Sequence, residues 1–149
     1  MNSLSLNHLT ATAGNIRKSK KAGSTSKLGG SPKLGAVGER LAEKFLITKG
    51  YSILARNYYI RGGEIDIVAT KGDIIVFVEV KTRRQNRFGE AFEAVDERKK
   101  SRLLKAAYTW LAKNGYKPWR CDLIAIDLNA SGNSKATATI CHYKNIFLR

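Results

Sequence analysis

Cysteine and histidine are scarce in this chain: among its 149 residues only Cys121 and Cys141 carry a thiol, and only His8 and His142 an imidazole. With no Cys-x-x-Cys pair and only these four side chains, the composition argues against the four-ligand clusters of structural zinc sites. The two thiols are expected as buried, reduced side chains on neighbouring strands. Long apolar runs are missing as well. Nothing approaches the roughly 18 consecutive apolar residues that mark a membrane span, and the N-terminus lacks the apolar core of a secretory signal. A soluble, cytoplasmic protein with no membrane partner is expected. Acids are absent from one end altogether: all twelve lie at or after Glu39, and the only charges before it are Arg17, Lys18, Lys20, Lys21, Lys27 and Lys33. Internal repeats are absent too.

What is present is positive charge. Of the formal net charge of +15, the segment before Glu39 holds +6 and the remainder +9, so the folded part is basic in its own right. Such a surface favours polyanions, of which nucleic acid is the commonest a soluble basic domain meets, although charge alone fits a merely soluble surface equally well. Residues 1–34, rich in Ser, Gly, Lys, Asn and Thr, have too few large apolar side chains to offset their ordering entropy. A disordered basic tail is expected there, ahead of a phosphate-contacting arm or a transit peptide. Residues 35–149 are expected to form a single domain, since about 110 residues can bury about two thirds of their unfolded surface.

Along that domain, Val37, Leu41, Ala42, Phe45 and Leu46 recur at helical spacing, with Gly50 as the stop signal. Glu39 borders the buried face, where a first-turn acid complements the helix dipole. Tyr51 to Arg56 reads as a strand followed by a short arm through Arg61. Asp96 caps a second predicted helix running to about Lys113, with Leu103, Leu104, Ala107, Trp110 and Leu111 on one face. Its outer face is basic, including Lys99 and Lys100. Trp119–Leu128 and Ala136–Tyr143 alternate into two further strands. The order implies an α/β fold with a mixed β-sheet flanked by helices.

The informative stretch runs from Gly63 to Arg83. Gly63-Glu64-Ile65-Asp66-Ile67-Val68 and Ile74 to Val80 read as strands, broken at Lys71-Gly72-Asp73. If the hairpin closes through a two-residue loop at Gly72-Asp73, Asp66 falls opposite Glu79 and Glu64 opposite Lys81; a three-residue loop would shift the parity. Two carboxylates about 5 Å apart repel unless a cation separates them or one takes up a proton. Hard carboxylates on adjacent strands suit Mg²⁺ or Mn²⁺, which takes one or two protein carboxylates and keeps several waters. Lys81 can then orient or deprotonate a water. The basic loop beyond Arg83, with Arg84 and Arg87, and the basic helix face are placed to touch phosphates.

Asp66, a dozen or so residues of hairpin, and Glu79-Val80-Lys81 resemble the PD-(D/E)xK nuclease signature. Gly38-Glu39, Arg56-Asn57, Gly63-Glu64-Ile65-Asp66, Phe77-Val78-Glu79-Val80-Lys81-Thr82-Arg83 and Lys99 resemble the YraN-type family, which is grouped with that superfamily and is similar in fold to archaeal Holliday-junction resolvases. Ile65 stands where the superfamily's name has proline. The resemblance implies a restriction-endonuclease-like core, α-β-β-β-α-β, here with a C-terminal strand added. It implies catalytic roles for Glu39, Asp66, Glu79 and Lys81, with Asp66 and Glu79 as ligands of Mg²⁺ or Mn²⁺. The expected activity is phosphodiester hydrolysis in DNA, more than RNA, and in branched or structured DNA in particular; the alternative is a non-catalytic nucleic-acid-binding protein of the same fold. Arg61, Arg83, Arg84, Arg87, Lys99 and Lys100 are the expected nucleic-acid contacts, and a junction-cutting enzyme would act as a homodimer carrying two sites.

Overall fold

Ile75 to Val78 form an unbroken apolar run because both faces of their strand are covered. In the computed structural model, which describes residues 7–12, 32–84, 97–129 and 137–147, this strand lies inside a six-stranded sheet with a helix on each side. In chain order the elements are β1 (Asn7–Thr12), α1 (Pro32–Thr48), β2 (Ser52–Ile60), β3 (Gly63–Lys71), β4 (Ile74–Arg84), α2 (Glu97–Asn114), β5 (Trp119–Asn129) and β6 (Thr137–Tyr143). The sheet order is β1-β6-β5-β4-β3-β2, antiparallel throughout except for the parallel β4–β5 pair that α2 connects. This is the expected mixed α/β arrangement, helix, three strands, helix, strand, with β6 as the added C-terminal strand.

Side-chain parity sorts the core into two layers. Ala42, Phe45 and Leu46 of α1 pack on Ile67, Val76, Val78, Ile124 and Ile140. Leu103, Ala106, Ala107, Trp110 and Leu111 of α2 pack on Ile65, Phe77, Cys121 and Leu123 across the opposite face. Cys121 and Cys141 are buried free thiols on the neighbouring strands β5 and β6, as expected.

Three expectations need correction. Asn7–Thr12 are not part of a disordered tail: they pair with Thr137–His142 as β1. Backbone bonding to what would otherwise be an open sheet edge supplies the ordering that the segment's composition could not. Helix α1 begins at Pro32, earlier than its apolar spacing suggests, consistent with proline's preference for a helix's first position. The strand and arm after Tyr51 are one strand, β2, with a register irregularity between Ile53 and Ala55 and a left-handed residue, Asn57, at φ 48°. Residues 13–31, the Asp96 cap, the loop holding Arg87 and the turn at 130–136 lie outside the described residues.

The two-residue loop at Gly72-Asp73 is present, with Lys71 paired to Ile74 and Gly72 at φ 58°. From that loop the β3–β4 ladder runs to Ile67↔Val78. Beyond it the strands part company: β3 continues beside β2 to Ile60↔Gly63, while β4 continues beside β5 to Arg84↔Leu128. Asp66 and Glu79 are the first residues past the fork.

Candidate active site

Asp66 stands in the fork and bridges it. Its Oδ2 accepts the backbone N–H of Val80 at 2.7 Å, taking the place of the next ladder bond. On the β2 side, Asn57 falls between the pairs Arg56↔Ile67 and Tyr58↔Ile65, opposite Asp66. Asparagine is one of the few residues that tolerates the left-handed backbone needed there. Burial, the neighbouring Glu79 carboxylate and Glu39 together push the Asp66 pKa up to about 7, against the Val80 N–H and Lys99, which favour its charge. The sequence-derived conflict between two carboxylates is therefore real and incompletely relieved.

Glu79 is 4% exposed and faces the α2 side of the sheet. Lys99, in the first turn of α2, donates to its Oε1, and Lys81 Nζ lies 3.4 Å from the same oxygen. Burial lowers the pKa of Lys81, and the adjacent Lys99 ammonium adds to that, with Glu79 opposing. Burial also works against charge on Lys99, but the Glu79 carboxylate outweighs it and raises its pKa. Of the two lysines, Lys99 is the one held charged and Lys81 the one eased toward the neutral amine.

Glu39 reaches the site from α1. With Ala36, Arg40, Glu43, Arg56, Asn57 and Asp66 it lines a cleft of about 200 Å³ between α1 and the β2–β3 edge. Glu43 and Arg56 form an ion pair across that cleft, tying the helix to the strand. Two glycines set how closely the helices approach. A Cβ on Gly38 would stand 1.6 Å from Thr82 Oγ1, and one on Gly63 would stand 2.4 Å from the backbone oxygen of Arg102. These contacts press α1 onto β4 beside Glu39 and α2 onto β3 beside Lys99. The Gly-Glu pairs in the sequence thus combine a close-packing residue with an acid.

The remaining candidates scatter. Glu64 is exposed opposite Tyr59 on β2 and does not meet Lys81, because the fork has already separated β3 from β4. Arg61 and Arg84 are exposed and Arg83 is half-buried. Lys100 pairs with Glu97 at 2.7 Å. Lys99, expected on the basic surface, instead enters the acid site. Helical spacing sets Lys99 at the border of the buried face, one turn before Leu103, but does not name its partner.

Asp66 and Glu79 offer two hard oxygen donors, and burial, together with the Glu79 and Glu39 carboxylates, disfavours charge on Asp66 that a divalent cation would stabilise. This fits an ion such as Mg²⁺ or Mn²⁺ that fills most of its shell with water. Among the described residues, no group of three His, Cys, Asp or Glu side chains is gathered to hold an ion by protein ligands alone. A second polar cluster belongs to the fold. Asp122, fully buried, accepts from Arg120 Nε at 2.9 Å and from the Asn145 N–H at 2.8 Å, and its other oxygen lies 2.9 Å from His142 Nε2. Burial opposes its ionisation, yet these partners hold the carboxyl below its ordinary range.

Comparison with known proteins covers the same ground. Residues 38–126, from Gly38 past the second acid-bearing strand, match the uncharacterised protein family UPF0102. A UPF0102 protein of Symbiobacterium thermophilum is 43% identical over 104 residues, covering 68% of this chain and 88% of the relative. A second, from Pelotomaculum thermopropionicum, is 40% identical over 116 residues, covering 76% and 94%. A third, from Syntrophomonas wolfei, is 56% identical over 78 residues, covering 52% and 68%. With a family match spanning Glu39, Asp66, Glu79, Lys81 and Lys99, this chain belongs to the uncharacterised protein family UPF0102.

Proposed function

We propose that the protein is a metal-dependent nuclease that hydrolyses phosphodiester bonds in DNA, with branched or otherwise structured DNA as its substrate class. The observation that carries this reading is the convergence of Asp66, Glu79 and Lys81 at the β3–β4 fork, where burial and the Glu79 carboxylate raise the Asp66 pKa. Asp66 and Glu79 would hold Mg²⁺ or Mn²⁺. When bound, such an ion stabilises negative charge developing on the phosphoryl oxygens.

The chain's own groups supply the rest. Lys81, its pKa lowered by burial, accepts in its neutral amine form a proton from the attacking water as the water oxygen bonds to phosphorus; the bridging P–O bond breaks and the departing oxygen takes a proton from solvent. Glu39 orients that water from the cleft side. Arg61, Arg83 and Arg84 hold flanking phosphates, and a homodimer would present two such sites to a junction. No helix among the described residues is long and apolar enough to cross a membrane.

A non-catalytic nucleic-acid-binding role is the second reading, favoured by one observation: Glu79 is already paired with the Lys99 ammonium. Titration of Mg²⁺ and Mn²⁺ against linear, single-stranded, flapped and four-way-junction DNA, with Glu79→Ala alongside, separates the two. Metal-dependent cutting that disappears in Glu79→Ala is the expected result. Binding of every substrate with no cutting would overturn the nuclease assignment.

A further inference from the structure

We infer that Lys99 is the resident counter-ion of the acid site: it holds Glu79 until a divalent cation displaces it, and its freed ammonium then positions the scissile phosphate. The inference rests on the reading that Asp66 and Glu79 bind the metal. It concerns how that site is loaded and what the helix contributes once it is.

Three observations carry it. Lys99 Nζ donates directly to Glu79 Oε1, while Lys81 Nζ stands off at 3.4 Å from the same atom. Glu79 is almost wholly buried, so the adjacent cation takes the place of solvent around its carboxyl group. A lysine in the first turn of a helix also opposes the helix dipole, so α2 gains nothing from having one there. Glu79 supplies the reason for its position. The close packing of α2 on Gly63 fixes the helix at the distance from which the Lys99 stem reaches the fork.

A divalent cation on Glu79 and the Lys99 ammonium would draw on the same carboxylate charge, so the two bind in competition. Metal affinity is reduced by the strength of the Lys99–Glu79 contact. Once displaced, the ammonium remains tethered at the site on a flexible four-carbon stem, where the nearest new source of negative charge is the phosphate entering beside the metal. Lys99 thus exchanges one anion for another as the site fills, and the site never holds two uncompensated carboxylates.

The test is Mn²⁺ binding by calorimetry to the full chain without DNA, compared among wild type, Lys99→Met and Lys99→Arg, with cleavage measured separately. Lys99→Met should bind Mn²⁺ at least about tenfold more tightly, because its competitor is gone, while cleaving more slowly. Lys99→Arg, which keeps the cation, should restore weaker binding. A structural role alone would weaken both properties in Lys99→Met. Unchanged or weaker Mn²⁺ binding by a folded Lys99→Met protein, with binding intact in wild type, overturns this inference and leaves the metal site standing. Absence of Mn²⁺ binding in both proteins overturns the metal reading and this inference with it. If Lys99→Met fails to fold, Lys99→Gln gives the same comparison.

Discussion

Replacing Asp66 with asparagine should stabilise the protein, and the gain should grow with pH. The Asp66 pKa is about 7, against an ordinary 3.8, so its ionised form is disfavoured in the folded state. At 1.36 kcal/mol per pH unit, that difference corresponds to on the order of 4 kcal/mol when fully expressed. The sign follows from proton uptake. Below about pH 4 the carboxyl is neutral in both folded and unfolded chains and costs nothing; between about pH 4 and 7 the unfolded chain ionises first, so folding loses stability as pH rises; above about pH 7 the loss is complete. Asparagine at this position removes the charge, and its amide oxygen can still accept the Val80 N–H.

Urea denaturation in EDTA at pH 5 and pH 8 reads the effect. The variant's advantage should be about 1–2 kcal/mol at pH 5 and roughly 4 kcal/mol at pH 8. With a urea dependence of about 1.5 kcal/mol per molar for a domain of this size, the midpoint difference between the two proteins should widen by about 2 M across that range. Adding Mg²⁺ should stabilise wild type and leave the variant nearly unmoved. A midpoint difference that is the same at both pH values, or a variant less stable than wild type at pH 8, would refute the account of Asp66 as a strained carboxylate.

Three further outcomes are expected. Gly38→Ala should destabilise by about 1–3 kcal/mol through overpacking against Thr82, and Thr82→Ala should recover part of that loss in a double-mutant cycle; additive effects would show that α1 does not rest on β4 as described. His142→Ala should cost about 2–4 kcal/mol by leaving Oδ2 of buried Asp122 with only the 3.1 Å bond from Arg120 Nε. Because the Asp122 pKa is lowered in the folded protein, its contribution is present above the ordinary carboxylate range and lost as pH falls through it, so acid melts should separate the two proteins less than neutral ones. Arg61→Ala and Arg84→Ala, both at exposed positions, should each lower the log–log salt slope of DNA binding by about 0.9 if they meet phosphate; an unchanged slope removes that residue from the interface.

Much of this site is legible one residue at a time. Period-2 alternation through Ile65 and Ile67 and the turn chemistry of Gly72-Asp73 imply a hairpin in which Asp66 confronts Glu79, and β3 and β4 adopt that register. The helical spacing of Leu41, Phe45 and Leu46 implies a buried face with Glu39 at its border, and Glu39 does line the cleft beside Asp66. These readings hold because residue spacing along one element, or across one tight turn, depends on local geometry that side chains report directly.

Three features lay beyond that reach, each depending on elements far apart in sequence. Composition could not assign Asn7–Thr12 to a strand, because the stabilising partner is the edge of β6 at the other end of the chain. The Glu64–Lys81 pair implied by an uninterrupted hairpin does not form, since β2 and β5 draw β3 and β4 apart after Ile67↔Val78. Lys99 reads as one more base on a basic helix face until α2 packs against Gly63 and brings its ammonium to Glu79. Local pattern thus sets which residues are acidic, where the strands turn and which helix faces are apolar. The charge balance of the fork depends on long-range packing, because electrostatic partners are chosen by distance in space, and a sequence carries no record of that distance until the layers close.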